Sequence, residues 1–491
     1  MKLTQEQQAI VDLELAPGQI LKVIAFAGTG KTSTLVAYAQ ARPHLRFLYI
    51  AFNKSVQMEA VEKFPANVTS RTSHSLAFGS HGYKYKDKLA AGLRANTVMQ
   101  TLNLNRYEDA RFTIDTLNNF LVSADPKVGR RHIAYPAKAF YQQLGVPVPD
   151  FIDLANQLGR RMCDTADTQV GMLHDGYLKL YQLSNPVLHY DCILLDEAQD
   201  INPVTSALIL SQAGNNNGRR PASIILVGDS HQQIYSFRGA RDALNHIKAS
   251  RTMYLTHSFR FGNNIARVAN MVLSTFKKET NPIMGASRRK NKPPWDKHNH
   301  TIIARTNAAL FDRAVKLVGA YTIGFVGGVK SYRLHQLKDI YFLFAGKTHK
   351  IVESYIKSFR NYDALRSYAE AVEDVELLSA CKVANTYGTQ LPGLVDSIRK
   401  KAVDIKDAQI GLTTAHKSKG LEWNNVLLLK DFQELMEDDH PVDPADIEPD
   451  EFNLIYVAMT RAIYNLRFEK ESSIPDFIQW AQEKIRRKKV Q

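Results

Sequence analysis

Residues 21 to 40 read LKVIAFAGTGKTSTLVAYAQ. A short apolar, β-rich run enters a turn with two glycines, and a helical pattern of small and apolar residues leaves it. Gly28 and Gly30 let the backbone curl so that successive N–H groups face a phosphate, and the start of the following helix adds its positive dipole end. Lys31 is then placed for the β- and γ-phosphates and Thr32 for a magnesium ion. Ala27, Gly28, Thr29, Gly30, Lys31, Thr32 and Ser33 are the expected nucleotide contacts. Ala25 stands where such loops usually begin with glycine, so the pattern is a relaxed one. The strand before it and the helix after it favour an ATP or GTP site over a mere glycine turn.

Similar apolar runs recur outward from this stretch: LRFLYIAF from Leu45, CILLDEA from Cys192, SIILVGD from Ser223 and TMYL from Thr252. With helical patterns between them, they argue for a parallel sheet covered by helices on both faces. A second set, TIIARTN at Thr301, IGLTTAHK at Ile410 and VLLLKDF at Val426, predicts a second α/β lobe. We assign 1–78 and 171–280 to the first lobe, with a basic, mainly helical insertion over 79–170. The second lobe is assigned 281–346 and 407–491, with a short helical insertion over 347–406. Tyr83, Tyr85 and Tyr107 are scattered among the lysines and arginines of the first insertion. The runs NPIMGASRRKNKPPW (281–295) and KIRRKK (484–489) are basic, and read equally as solvated charge or as phosphate contacts.

The chain has 491 residues, more than one hydrophobic core usually supports. Lys and Arg number 63 against 49 Asp and Glu, a net charge of +14 that suits a polyanionic partner, either nucleic acid or an anionic membrane. No apolar stretch of about 18 residues and no signal-peptide core is present, so the membrane reading weakens and an intracellular protein is expected, in cytoplasm or nucleus. The three cysteines are too few and too scattered for a disulfide framework or a paired-cysteine zinc site.

A phosphate cradle alone hydrolyses nothing. In LLDEAQD, Asp196 leaves the end of a buried strand and Glu197 follows directly. Two carboxylates at the carboxyl edge of a parallel sheet are costly unless a cation is near, which magnesium supplies. Asp196 is then the outer metal ligand, and Glu197 the base that orients and deprotonates the attacking water.

Taken in order, these motifs resemble the UvrD/Rep-like branch of the superfamily 1 helicases, and most of all the F-box DNA helicase subfamily. The resemblance runs from Leu3 to about Leu466 and implies two RecA-like lobes. LTQEQ resembles the adenine-reading Q motif, which gives Gln7 the base. AFNK puts Phe52 and Asn53, and RTSHSLAF puts Thr72 and His74, where the family meets DNA. VGDSHQQIYSFRGA implies Gln232 at the γ-phosphate and Tyr235 and Phe237 on the bases, Phe237 standing where tryptophan is common. HSFRFGNNI implies Phe259 beside the adenine and Arg260 at the γ-phosphate. TTAHKSKGLEW gives Thr414 and His416 to DNA and Glu422 to the ribose, and YVAMTRA supplies Arg461 as a second arginine finger. Judged singly, Phe52 and Phe237 read as core aromatics and the two arginines as structural ion-pair residues. Their ordered occurrence reverses that reading.

The resemblance implies an ATP- and Mg²⁺-dependent helicase or translocase moving 3′ to 5′ on single-stranded DNA and on tailed duplexes, in repair, recombination or replication. Two departures accompany it. The second insertion is much shorter than in UvrD or Rep, and neither an F-box before the Q motif nor a fused nuclease after Arg461 is expected. A DNA-stimulated ATPase switch that remodels protein–DNA complexes without unwinding remains the alternative, and a small-molecule P-loop kinase a third reading.

Overall fold

The computed structural model describes residues 2–214, 220–234, 243–286, 293–371 and 374–490. Six parallel strands form the first sheet: β1 (Ile20–Ala25), β2 (Phe47–Ala51), β3 (Val68–Thr72), β4 (Cys192–Leu195), β5 (Ser223–Gly228) and β6 (Arg251–Leu255). Their spatial order is β3-β2-β4-β5-β1-β6. Strands β2, β4 and β5 are buried at every position, as a sheet covered on both faces requires. The polar edge strand β3, sequence VTSRT, was not anticipated, because one buried serine carries no apolar signature.

The second sheet is also parallel and orders β7 (His300–Ala304), β8 (Ile323–Phe325), β9 (Ile410–Thr414), β10 (Trp423–Leu428) and β11 (Ala462–Phe468) as β8-β9-β7-β10-β11. Both sheets carry helices between their strands, which is the α/β architecture of two RecA-like lobes. Among the described residues no helix is long and apolar enough to cross a membrane.

The chain divides into two compact units, Met1–Phe26 with Gly30–Leu255, and Ala27–Thr29 with Thr256–Gln491. The sequence reading carries the first lobe to residue 280, whereas 256–280 sits in the second unit. The cause is packing: helix Asn263–Phe276 lies on helix Pro449–Met459, where Phe276 stacks on Phe452 at 4.5 Å between centroids.

In the first unit, the insertion's helices Tyr107–Leu121 and Phe151–Cys163 pack with helix His174–Leu183, which follows the insertion, around Leu117, Leu158, Met162 and Tyr177. In the second unit the helical body starts ahead of residue 347, since Leu334–Phe344 packs on Val375–Tyr387. Cys192 is fully buried within β4, and burial pushes its thiol up to about 12, which makes it core rather than nucleophile.

Candidate nucleotide site

Strand β1 lies one strand away from β4, with β5 between them, so the chain segments leaving these three strands converge at one edge. Gly28 and Gly30 have φ of +76° and +80°, the left-handed region that favours glycine. Gly30 caps helix Lys31–Gln40 with no side chain on its first amides, leaving them open to an anion.

Lys31 Nζ lies 2.8 Å from both carboxylate oxygens of Glu197. Burial works to lower the Lys31 pKa, but Glu197, Asp196 and Asp229 outweigh it and hold the ammonium above its usual value. Asp196, 5 % exposed, accepts from Thr32 Oγ1 at 3.0 Å, Tyr49 OH at 2.9 Å and the Glu197 amide at 2.9 Å. Burial, then Glu197, raises its pKa against the pull of Lys31.

Glu197 itself sits at φ +49°, an uncommon conformation for a glutamate that costs on the order of 1–2 kcal/mol. No sequence signal announces that twist. It occurs where β4 ends and a short helical turn, Ala198–Asp200, begins.

Gln199 is the residue that sequence reasoning passed over. Fully buried, it donates Nε2 to Glu197 at 2.6 Å and to Asp200 at 3.3 Å, and its Oε1 accepts from the Asp229 amide at 3.0 Å. Asp229 in turn accepts from Gln232 Nε2 at 2.7 Å. A hydrogen-bonded chain therefore links Gln232, expected at the γ-phosphate, to the Glu197 carboxylate. A Cβ on Gly228 would fall 2.2 Å from Gln199 Oε1, so the strand end has to be glycine for this chain to form. Gln199→Ala should destabilise the first unit by about 1–3 kcal/mol, because it strands the buried Asp229 amide. ATP turnover should fall with it, and thermal denaturation and a steady-state assay read the two effects.

The remaining expected residues fall as follows. Both ends of the Gln7 amide are engaged: Oε1 accepts from the Thr4 amide, and Nε2 donates to Thr34 Oγ1, which donates to the Gly30 carbonyl. Thr29 is buried and Ser33 exposed. Phe52 is 46 % exposed just past β2, Asn53 caps helix Lys54–Lys63, and Thr72 ends β3 and caps Ser73–Ala77. His74 Nε2 pairs with Asp175 at 3.0 Å. Tyr235 and Phe237 lie outside the described residues, as do positions 287–292 of the basic loop.

Within the second unit, Arg260 Nε donates to Glu422 at 2.7 Å and its Nη1 to the Thr460 carbonyl at 3.0 Å. The loop residues Ala27–Thr29 join this unit, where the Phe259 amide donates to the Gly28 carbonyl and the Ala27 amide to Tyr456 OH. A Cβ on Gly28 would lie 2.6 Å from that of Arg260. Arg461 is 1 % exposed and uses its guanidinium on the Val457 and Leu421 carbonyls and on Thr460 Oγ1. Thr414 is buried at the end of β9 and His416 half-buried beyond it.

Among the described residues no three His, Cys, Asp or Glu side chains gather to enclose a metal. Thr32 Oγ1 and Asp196 nevertheless form an adjacent hydroxyl–carboxylate pair. That donor set fits Mg²⁺, which keeps several waters and takes only one or two protein ligands beside substrate phosphates.

Residues 7–238 match the model of an AAA domain, and residues 150–472 match that of the UvrD-like helicase C-terminal domain, well over half of the chain. The chain belongs to the UvrD-like helicase family. F-box DNA helicase 1 of Gallus gallus is 36% identical to this UvrD-like chain over 94% of its length and 48% of the relative's. F-box DNA helicase protein 1 of Schizosaccharomyces pombe is 32% identical over 94% and 56%. ATP-dependent DNA helicase UvrD2 of Mycobacterium tuberculosis is 22% identical over 56% and 47%. The UvrD-like chain thus spans about half the length of the curated relatives it matches.

Proposed function

We propose that this protein is an ATP-dependent DNA helicase that moves 3′ to 5′ along single-stranded DNA. One observation carries the reading. Lys31, Thr32, Asp196 and Glu197 meet within 3.0 Å at the edge of a parallel sheet, in a chain of the UvrD-like family. Lys31 and the open amides of its helix hold the β- and γ-phosphates, and Thr32 and Asp196 hold Mg²⁺. Bound Mg·ATP supplies the phosphoryl group whose transfer to water releases the free energy for stepping.

Before nucleotide arrives, Lys31 and Glu197 neutralise each other. The lysine exchanges Glu197 for phosphate, and the freed carboxylate orients and deprotonates water. Gln199 keeps one Glu197 oxygen fixed while this happens, and Gln232 reports through Asp229 on the same carboxylate. Arg260 and Arg461 add positive charge to the transferred group, a contribution of about 10³ to 10⁵ in rate for such arginines. Phe52, Thr72 and His74, at the carboxyl ends of β2 and β3, hold DNA by stacking and hydrogen bonding without reading sequence. Stepping follows when the hold of the two lobes on the strand alternates with nucleotide state.

The test is ATP turnover with and without single-stranded DNA, followed by displacement of a strand from a 3′-tailed duplex. Strong stimulation with displacement is the expected result. Stimulation without displacement would leave a remodelling switch, and no stimulation would remove the motor reading altogether.

A further inference from the structure

A row of rings crosses the first unit from His74 to Tyr83. His74 meets Tyr177 with centroids 6.1 Å apart, Tyr177 meets Phe78 at 5.7 Å, and Phe78 meets Tyr83 at 6.4 Å, all edge to face. Interior rings of the row are packed: Tyr177 is buried and Phe78 half-buried. A Cβ on Gly82 would lie 2.5 Å from the Phe78 ring, so this glycine permits the packing. The last ring stands apart, with Tyr83 59 % exposed.

The segment around it sorts its side chains by role. Tyr85 is buried, and Lys88 Nζ is used up on the Arg161 and Asp164 carbonyls at 3.3 and 2.6 Å. Lys84 and Lys86 instead face solvent, and neither forms an ion pair among the described residues. Lys86 Nζ sits 5.2 Å from the Tyr83 centroid. Lys84 Nζ lies over the neighbouring Tyr85 ring, 4.9 Å from its centroid, so an exposed ring with one ammonium over it and a second one ring away offers a π-face for a base and charges for its phosphates. The row joins it to His74.

We propose that Tyr83, Lys84 and Lys86 form a second contact for single-stranded DNA, continuing the track that begins at Phe52, Thr72 and His74. The proposal rests on the DNA-helicase reading and adds to it a surface that lies in the inserted helical region, outside every motif quoted above.

The test uses the full chain and fluorescent oligo(dT) of graded length, read by anisotropy over a salt series. On long oligomers Tyr83→Ala should weaken binding about tenfold, within the range of one lost base stack, while Tyr83→Phe retains wild-type affinity. Lys84→Gln with Lys86→Gln should lower the slope of log K against log salt by about 1.4, two phosphate contacts at about 0.7 each. Oligomers too short to reach past His74 should bind all variants alike. If Tyr83→Ala proves unstable in thermal denaturation, the lysine pair alone decides the matter. Variants that match wild type in affinity and salt slope at every length would overturn the proposal. So would losses seen only on a blunt-ended duplex titrated in parallel, which would make this a duplex contact. If wild type bound no oligomer at all, the helicase reading itself would fail first.

Discussion

Glu197→Gln is expected to slow ATP turnover by about 10²- to 10⁴-fold while nucleotide still binds, since general-base assistance of this kind contributes that much. The amide keeps the size of the side chain and can still meet Gln199, but it cannot take a proton from water. It also loses the charge that draws Lys31 at 2.8 Å, so Lys31 becomes available to phosphate without first leaving a partner. Nucleotide affinity should therefore hold or rise as turnover falls. Equilibrium binding of a labelled ATP analogue and a single-turnover hydrolysis assay separate the two quantities. Normal turnover in this variant would place the base elsewhere.

Lys31→Ala is expected to act on the other half of the pair and with the opposite effect on binding. It removes the ammonium proposed to meet the phosphates and leaves Glu197 and Asp196 as adjacent carboxylates without their cation. Turnover should drop by about 10³-fold or more, because the lost charge would have stabilised the transferred phosphoryl group in a water-poor site. Nucleotide affinity should fall in parallel, whereas single-stranded DNA should bind nearly as in wild type, because Lys31 is not among the residues expected to meet it. Wild-type turnover would refute the phosphate assignment. The divergence in affinity between the two variants tests the exchange of Lys31 between Glu197 and phosphate more sharply than either loss of rate.

Much of this was readable from the residues in order. The strands CILL and SIILVG declare themselves because every position is buried, so hydrophobicity is continuous. The AGTGKT loop declares itself because the φ values found at positions 28 and 30 strongly favour glycine. Asp196 and Glu197 followed from the strand they terminate. Strands β3 and β11 were not legible, since VTSRT and AIYNLRF interleave polar with apolar residues and leave no continuous apolar run. Segment 256–280, read from the sequence with the first lobe, packs within the second unit, where its amphipathic helix sets Phe276 on Phe452, a residue far away in sequence.

By itself, then, the order of residues determined the two parallel sheets, the glycine turn that follows β1 and the carboxylate pair that follows β4, all properties of local pattern and of residues a few positions apart. Tertiary structure alone decided that Gln199 joins Glu197 to Asp229, that Glu197 takes up a positive φ, that Arg461 is held by carbonyls, and that Tyr83 stands exposed at the end of a ring row. The physical reason is one of range. Backbone preference and hydrophobic periodicity act between neighbours, whereas buried hydrogen bonds and ring contacts form between segments that only the folded chain brings together.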